Sequence, residues 1–426
     1  MELQHHLDFV KIKDYFITYL NKNILEFSTN LGFFKLDDLL ALLKTFFKEK
    51  DKNYSYLKEW TITTDEILFF WSYIAGFKKI LPLLLDNYVE EIFISPNTQV
   101  IQIDHFLYGR MKTNILISEK EKENILFRTA MENNLELNQL NPSIKGDLQV
   151  LGLFSLRLTG DISPFSYDGT ILNIRKINQH KFTLKYLRGL KTLDSQTCAF
   201  LRTLITNASN ITIIGSPSSG KTTLQNALLR ELPSHWRVFS FENTLETTIK
   251  SDNFFRYKIF DFLKKNGHST LGLINQLLHR SPDYVNLGEI TTPEEALAWN
   301  ACMSAGIPII QTIHSNSDEG LLSRTNSIFN ISNDLLASSI PHIVVEVKYF
   351  WNNLRKERKL FSISELVLQN KKDLYLERIA KYDIKNKSLL WVKDPVKTQT
   401  FQWIQTNRNK SIRKEYIDNC QKYNDI

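Results

Sequence analysis

Residues 211–229 read ITIIGSPSSGKTTLQNALL: an apolar run of strand character, a turn of small residues, then a helix-compatible segment. Within it, Gly215-Ser216-Pro217-Ser218-Ser219-Gly220-Lys221-Thr222 satisfies G-x-x-x-x-G-K-[ST], in the strand-loop-helix setting that gives the pattern its meaning. A polyphosphate needs many N–H donors converging on it, and a loop at a helix N-terminus supplies them together with the positive end of the helix dipole. Gly215 and Gly220 let the backbone approach the ligand without a Cβ, while Ser218, Ser219 and Thr223 line the same turn. Lys221 is placed for the β- and γ-phosphates, and the Thr222 hydroxyl for Mg²⁺. ATP and Mg²⁺ are therefore the expected ligands. The loop alone does not choose among kinase, helicase, transporter ATPase and motor.

Three stretches downstream narrow the choice. RVFSFENTLET (237–247) is a strand ending in Glu242, SPDYVNLGEI (281–290) a second ending in Gly288-Glu289, and PIIQTIHSNS (308–317) a third delivering His314. Carboxylates at the C-terminal ends of parallel strands face the crevice where ligands of open α/β sheets bind. Singly, a Glu after a strand reads as surface and a lone His as structural. In this order after a phosphate loop, they read as groups that serve the γ-phosphate and its attacking water.

Around this centre the chain divides by texture. Residues 1 to about 80 carry apolar clusters at helical spacing, as in Phe9, Ile12, Tyr15, Phe16, Tyr19 and Leu20, and predict a helical extension over 1–84. From Val89 the pattern turns to short β-rich runs broken by Pro96-Asn97, Gly160-Asp161 and Asp168-Gly169, which predict a smaller α+β domain over 85–185. The Lys/Arg-dotted stretch 179–191 reads as the linker. Strand candidates at 211–214, 238–241, 284–287, 307–313 and 342–347 alternate with helix-length segments, the pattern of a largely parallel α/β sheet over 186–385. Beyond 385 no strong pattern is legible, and a basic, partly disordered tail is expected over 386–426.

A chain of 426 residues holds two or three domains at about 150 residues each. Hydrophobic residues at 42% and charged residues at 23% exclude a disordered or collagen-like chain. The formal net charge is +7, yet residues 351–426 hold 17 basic and 9 acidic side chains, so the remainder is nearly neutral. Such a tail suits anionic lipid, nucleic acid or an acidic partner, as well as plain solvation. The three cysteines, Cys198, Cys302 and Cys420, have no C-x-x-C spacing and fit a reducing cytosol. Charged residues interrupt the first 21 positions, so no secretory signal is expected. The longest apolar run, ILFFWSYIAGF (67–77), falls short of the ~20 residues of a membrane span and predicts a buried helix.

The succession GSPSSGKTT, FENTLET, HRSPDYVNLGEI and QTIHSNS resembles the type II/type IV secretion ATPase superfamily, with its Walker A loop, Asp box, Walker B motif and His box. The likeness extends upstream through VEEIFISPNTQVIQID, LQVLGLFSLRLTGDISP and GTILNIRKI, and downstream through IPHIVVEVKYFWNNLRKERKLFSISELV, covering roughly 85–385. Among branches it is most similar to the Tad/Flp pilus assembly ATPases and related type IV secretion ATPases. The resemblance implies a RecA-like P-loop NTPase core and a smaller N-terminal α+β domain, here behind a helical extension. It implies a cytoplasmic motor, assembled as a hexameric ring and peripheral to the inner membrane, which hydrolyses ATP to power pilus assembly or secretion from a membrane platform protein. It gives Glu242 the role of activating or orienting the attacking water, Glu289 that of holding the Mg²⁺ water shell with a share in the base role, and His314 that of sensing or bridging the γ-phosphate. Arg157 and Arg175 match basic residues that in the family close over nucleotide, and Arg280, just before the Walker B strand, is a further candidate.

The sequence departs from that pattern at three places. Thr291 stands where the family usually has Arg, Asn243 follows Glu242 where an acidic pair is typical, and a polar Asn286 lies inside the Walker B strand. A Thr cannot imitate the donor fork of a guanidinium. An ATP-binding but catalytically weak structural subunit is accordingly the alternative to the motor, with a nucleic-acid motor the third reading. Nucleic acid is not an expected partner, since neither an Asp-Glu Walker B nor base-stacking signatures are present.

Overall fold

The computed structural model describes Leu68, Ser72 and residues 76–150, 154–177, 182–243, 245–249, 251–258, 270–352, 355–369 and 373–424. The helical extension expected over 1–84 lies largely outside them, although Leu68 and Ser72 are helical and buried. The chain forms two compact units, Met1–Gln179 and His180–Ile426.

In the first unit a short helix, α1 (Leu81–Leu85), precedes β1 (Val89–Ile94), β2 (Val100–His105) and β3 (Gly109–Leu116). Helix α2 (Glu119–Glu132) then leads to β4 (Ser143–Val150), β5 (Phe154–Asp161) and β6 (Ile171–Ile177). The six strands pair in the order β3-β2-β1-β6-β5-β4, every neighbour antiparallel. One sheet face is apolar, through Ile92, Ile103, Leu148, Leu158 and Ile174, and packs with Ile125 and Leu126 of α2. A capping box between Ser118 and Glu121 starts that helix. Gly160 is required where α2 crosses: a Cβ there would overlap Leu126 and stand 2.7 Å from the Ile171 carbonyl oxygen. Lys176 points inward, donating to the carbonyls of Leu84 (2.7 Å) and Asp86 (2.6 Å) at the end of α1, and burial lowers its pKa to about 8.

The second unit opens with α3 (Leu184–Gly189) and α4 (Ser195–Thr206), so the stretch read as linker carries a helix whose Leu184 and Leu187 enter the core. There follow β7 (Asn210–Ile214), α5 (Lys221–Leu229), β8 (Val238–Glu242), β9 (Phe254–Lys258), α6 (Thr270–Leu278), β10 (Tyr284–Ile290) and α7 (Pro293–Ser304). Next come β11 (Ile309–Ile313), α8 (Asp318–Ser327), α9 (Asn333–Ser338), β12 (His342–Asn352), β13 (Arg355–Gln369), β14 (Asp373–Asp383) and β15 (Ser388–Trp391). Helices α10 (Gln399–Asn407) and α11 (Ile412–Asn424) complete the described chain.

The nine strands run β15-β14-β13-β12-β7-β11-β10-β8-β9. From β12 to β9 every pairing is parallel, and β13–β15 extend the sheet as an antiparallel meander. The order β12-β7-β11-β10-β8 is that of a RecA-like core. Its central strands are near-continuous apolar runs because both faces are covered: Ile211, Ile213 and Val345 join one apolar core, while Ile214, Val344 and Ile313 join the other.

Residues 386–426 depart from the expected loose tail. Phe401 of α10 stacks on Phe200 of α4 at 6.5 Å, and Tyr416 of α11 meets Phe401 edge-on at 5.6 Å. Asn419 of α11 donates to Thr203 Oγ1 at 2.9 Å and accepts from Arg202, joining α11 to α4. In α11 the basic Arg413, Lys414 and Lys422 are exposed while Ile412, Tyr416 and Tyr423 are buried.

Candidate functional site

Strand register brings the site together. Ile214, last in β7, pairs with Ile313, last in β11, and Ile313 pairs with Ile290, last in β10. Leu287 of β10 pairs with Phe241 of β8, one residue before Glu242. The Walker A loop, Glu242, Glu289 and His314 therefore leave the sheet along one edge, between strands that connect in different directions. That is the crevice where open α/β sheets bind ligands.

The loop has the geometry its sequence demands. Gly215 (φ +154°) and Gly220 (φ +98°) take up conformations that side chains avoid, and a Cβ on Gly215 would collide with the Val347 carbonyl oxygen. Ser218 is left-handed at φ +60°. Lys221, first residue of α5, is buried, and its Nζ donates to the Ser216 carbonyl at 3.1 Å. Thr222 and Thr223 are half-buried in the same helical turn.

Nζ of Lys221 lies 3.0 Å from Nδ1 of His314 and 3.6 Å from Oε1 of Glu289, and Nε2 of His314 is 2.9 Å from that same oxygen. An ammonium only donates, so Nδ1 accepts from it, and Nε2–H donates to Glu289. Lysine, histidine and carboxylate thus form a closed triangle at the mouth of the loop. A register shift between Leu287 and Glu289 sets the carboxylate, while Gln225 donates to the Leu287 carbonyl (2.9 Å) and Thr312 to that of Gly288 (3.1 Å).

Glu242 is placed differently. It is 2% exposed, and its carboxylate accepts from Ser240 Oγ (2.6 Å), Thr247 Oγ1 (2.5 Å), the Glu246 amide (2.7 Å) and the Thr247 amide (2.9 Å). These four donors hold the loop after β8 folded back against the carboxylate. Asn286 donates to Ser240 Oγ at 2.7 Å and joins the same chain. Asn226 ties that loop to α5, the helix after the Walker A loop, donating to the carbonyls of Thr222 and Glu246, each at 3.1 Å.

Arg280 precedes β10, at the end of the strand away from Glu289. The rise from Tyr284 to Glu289 is about 16 Å, so the chain does not bring Arg280 to its own loop. Arg157 and Arg175 belong to the first unit, where they pair across β5 and β6; Asp147 flanks Arg157 on β4, and Glu91 flanks Arg175 on β1. Sequence reading missed Arg358 of β13, whose Nε donates to the Ser218 carbonyl at 3.2 Å. Its only sequence signal is a basic run, KERK, in a strand candidate.

A phosphate loop at the switch point of a parallel sheet, faced by a Lys, Glu and His cluster, defines a RecA-like P-loop nucleotide-binding protein. Residues 77–349 match the Type II/IV secretion system protein family, and the chain belongs to it. An uncharacterized protein of Methanocaldococcus jannaschii is 26% identical over 257 residues, 59% of this chain and 45% of that protein. The probable conjugal transfer protein TrbB of Sinorhizobium fredii is 25% identical over 249 residues, 57% of this chain and 72% of that one. The chain thus spans less than half the length of the archaeal relative. The solved ATPase DotB of Legionella pneumophila aligns with TM-score 0.48 at 14% identity, over 81% of this chain and 87% of that one. Among the described residues, no helix is long and apolar enough to cross a membrane.

Proposed function

We propose that this chain is a Mg²⁺-dependent ATPase, a cytoplasmic subunit of a hexameric ring that powers pilus assembly or protein secretion from an inner-membrane platform protein. The observation that carries the reading is the Lys221–His314–Glu289 triangle at the mouth of the Walker A loop. Phosphoryl transfer is mainly positioning and charge stabilisation. Lys221 supplies fixed positive charge for the phosphates. Glu289 is the acid that faces them, and it accepts a proton from, or orients, the attacking water. His314, held between the two, reports γ-phosphate occupancy to both. Glu242 positions the loop after β8 rather than meeting water directly.

The Thr222 hydroxyl and Glu289 carboxylate are hard oxygen donors, few in number, which suits Mg²⁺ with its retained waters and phosphate ligands. Bound there, Mg²⁺ neutralises charge on the phosphate oxygens. The full chain should hydrolyse ATP, and Lys221→Ala should abolish turnover with the fold intact; an unchanged rate in that variant refutes the reading. Turnover rising faster than linearly with protein concentration supports a site completed by a neighbouring subunit. Arg157 and Arg175 are the cations proposed for that completion, with Arg280 a further one.

The full hydrogen bonding of Glu242 favours one second reading, an ATP-binding subunit with weak catalysis. ATP binding without turnover, at every protein concentration, would establish it over the motor.

A further inference from the structure

The Walker A loop carries a second cation. Arg358 donates from Nε to the Ser218 carbonyl at 3.2 Å, and a Cβ on Gly220 would stand 3.3 Å from its Cδ. Gly220 is the N-cap of α5, so the stem of Arg358 crosses the positive end of the helix whose first turn holds Lys221 and Thr222. A cation at a helix N-terminus is disfavoured by the dipole. The same position becomes favourable when a phosphate chain occupies that helix end, because the anion then lies between two positive groups. Arg358 is not carried there by a loose loop. It lies opposite Tyr349 in the β12–β13 ladder, and β12 is bonded in parallel to β7, with Glu346 opposite Ile214. Inside the turn, the Ser219 hydroxyl is 1% exposed and has no hydrogen-bond partner in the protein, as expected of a group whose partner is a ligand.

We propose that Arg358 contacts the phosphate chain of the bound nucleotide, as a second cation supplied in the same chain as Lys221. This deepens the ATP reading above and rests on it. Thr291 supplies no guanidinium after the Walker B acid, and the β12–β13 hairpin brings one to the loop from another direction.

The test is equilibrium binding of MgATP and of AMP to the full chain and to Arg358→Gln, Arg358→Met and Arg358→Lys. A charge-assisted contact to phosphate predicts MgATP affinity about tenfold or more weaker in the Gln and Met variants, AMP affinity nearly unchanged, and the Lys variant in between. Arg358→Met keeps the stem over Gly220, so it decides the matter should the Gln variant fail to fold. MgATP affinity within about twofold of the parent, or equal losses for MgATP and AMP, overturns the proposal, since Arg358 then only props the loop. Loss of all nucleotide binding in the parent chain, or binding indifferent to Lys221→Ala, overturns the ATP reading itself; binding that depends on Lys221 and ignores Arg358 overturns this inference alone.

Discussion

Asn243 and Thr291 hydrogen-bond the same carboxylate, that of Glu295. Asn243 donates through its side-chain amide, and Thr291 through both its amide (2.6 Å) and its hydroxyl (2.8 Å). Glu295 is 5% exposed and also closes the capping box of α7 with Thr292. Two departures from the family pattern are therefore one feature: where an acid and an arginine are usual, this chain has two neutral donors around one buried acid.

That coupling predicts a reversible penalty. Asn243→Asp sets a second carboxylate against Glu295 and removes a donor, and should lower unfolding stability by about 2–4 kcal/mol. Adding Thr291→Arg restores a cation between the two acids and should recover a large part of the loss. A urea-unfolding double-mutant cycle measures the coupling, expected at about 1 kcal/mol or more for groups in one network. Simple additivity would show that the two positions do not communicate.

The two acids at the strand ends should respond differently to the same change. Glu289→Gln leaves the hydrogen bonds of the sheet intact and should lower kcat by about a hundredfold or more with ATP binding retained. Glu242→Gln keeps one oxygen for the Glu246 and Thr247 amides and turns its NH₂ toward the Ser240 and Thr247 hydroxyls, the first of which already accepts from Asn286. It should cost about 1.5–3 kcal/mol of stability, together with any loss of rate. Comparing kcat with the urea midpoint for each variant separates an acid that serves turnover from one that holds the loop.

How much of this was legible follows from what a strand's sequence encodes. The apolar runs at Ile211, Val238, Tyr284, Ile309 and His342 are buried on both faces, so they stand out and form β7, β8, β10, β11 and β12. The Walker A spacing is local and needs no partner to be read. Strand β9 reads FFRYK, and β13 begins with a basic run, so neither carries a full apolar signal. Arg280 adjoins the Walker B strand in sequence, yet strand length carries it to the other edge. Arg358 is remote in sequence, and antiparallel register carries it to the loop. The hydrogen bonds that fill Glu242 come from the loop behind it and leave no periodicity to recognise. The charge of residues 386–426 obscured Ile412, Tyr416 and Tyr423, whose spacing marks an apolar helix face.

Removing that face is a direct test of its structural part. A chain ending at Lys410 loses the buried Ile412, Tyr416 and Tyr423, and it uncovers Phe401 and α4. At about 1.5–3 kcal/mol for each large buried apolar side chain, the second unit should be destabilised by more than about 4 kcal/mol. Thermal unfolding of the shortened chain should begin well below that of the parent or be replaced by aggregation. An unchanged midpoint would mean that α11 contributes nothing to the core.

His342 gives the fold a pH dependence of known sign. The ring is buried among β7, β11 and β12; its Nε2 lies 2.7 Å from Thr212 Oγ1 and its Nδ1 lies 2.8 Å from Ser339 Oγ. Gln311 donates to Thr212 Oγ1 at 3.0 Å, and Ser339 Oγ donates to the Leu336 carbonyl at 2.6 Å. The chain closes with one tautomer: Thr212 donates to Nε2, and Nδ1–H donates to Ser339, so the ring is neutral. Burial lowers its pKa from 6.5 to about 4. Between these values the unfolded chain holds a proton that the folded ring does not, so stability falls as pH drops from about 6.5 toward 4 and is independent of this group above. The full effect is about 3 kcal/mol. His342→Gln lacks the titrating ring and should flatten that part of the pH–stability curve, whatever its cost at neutral pH. Equal slopes for variant and parent between pH 4.5 and 6.5 would show that His342 is not the group responsible.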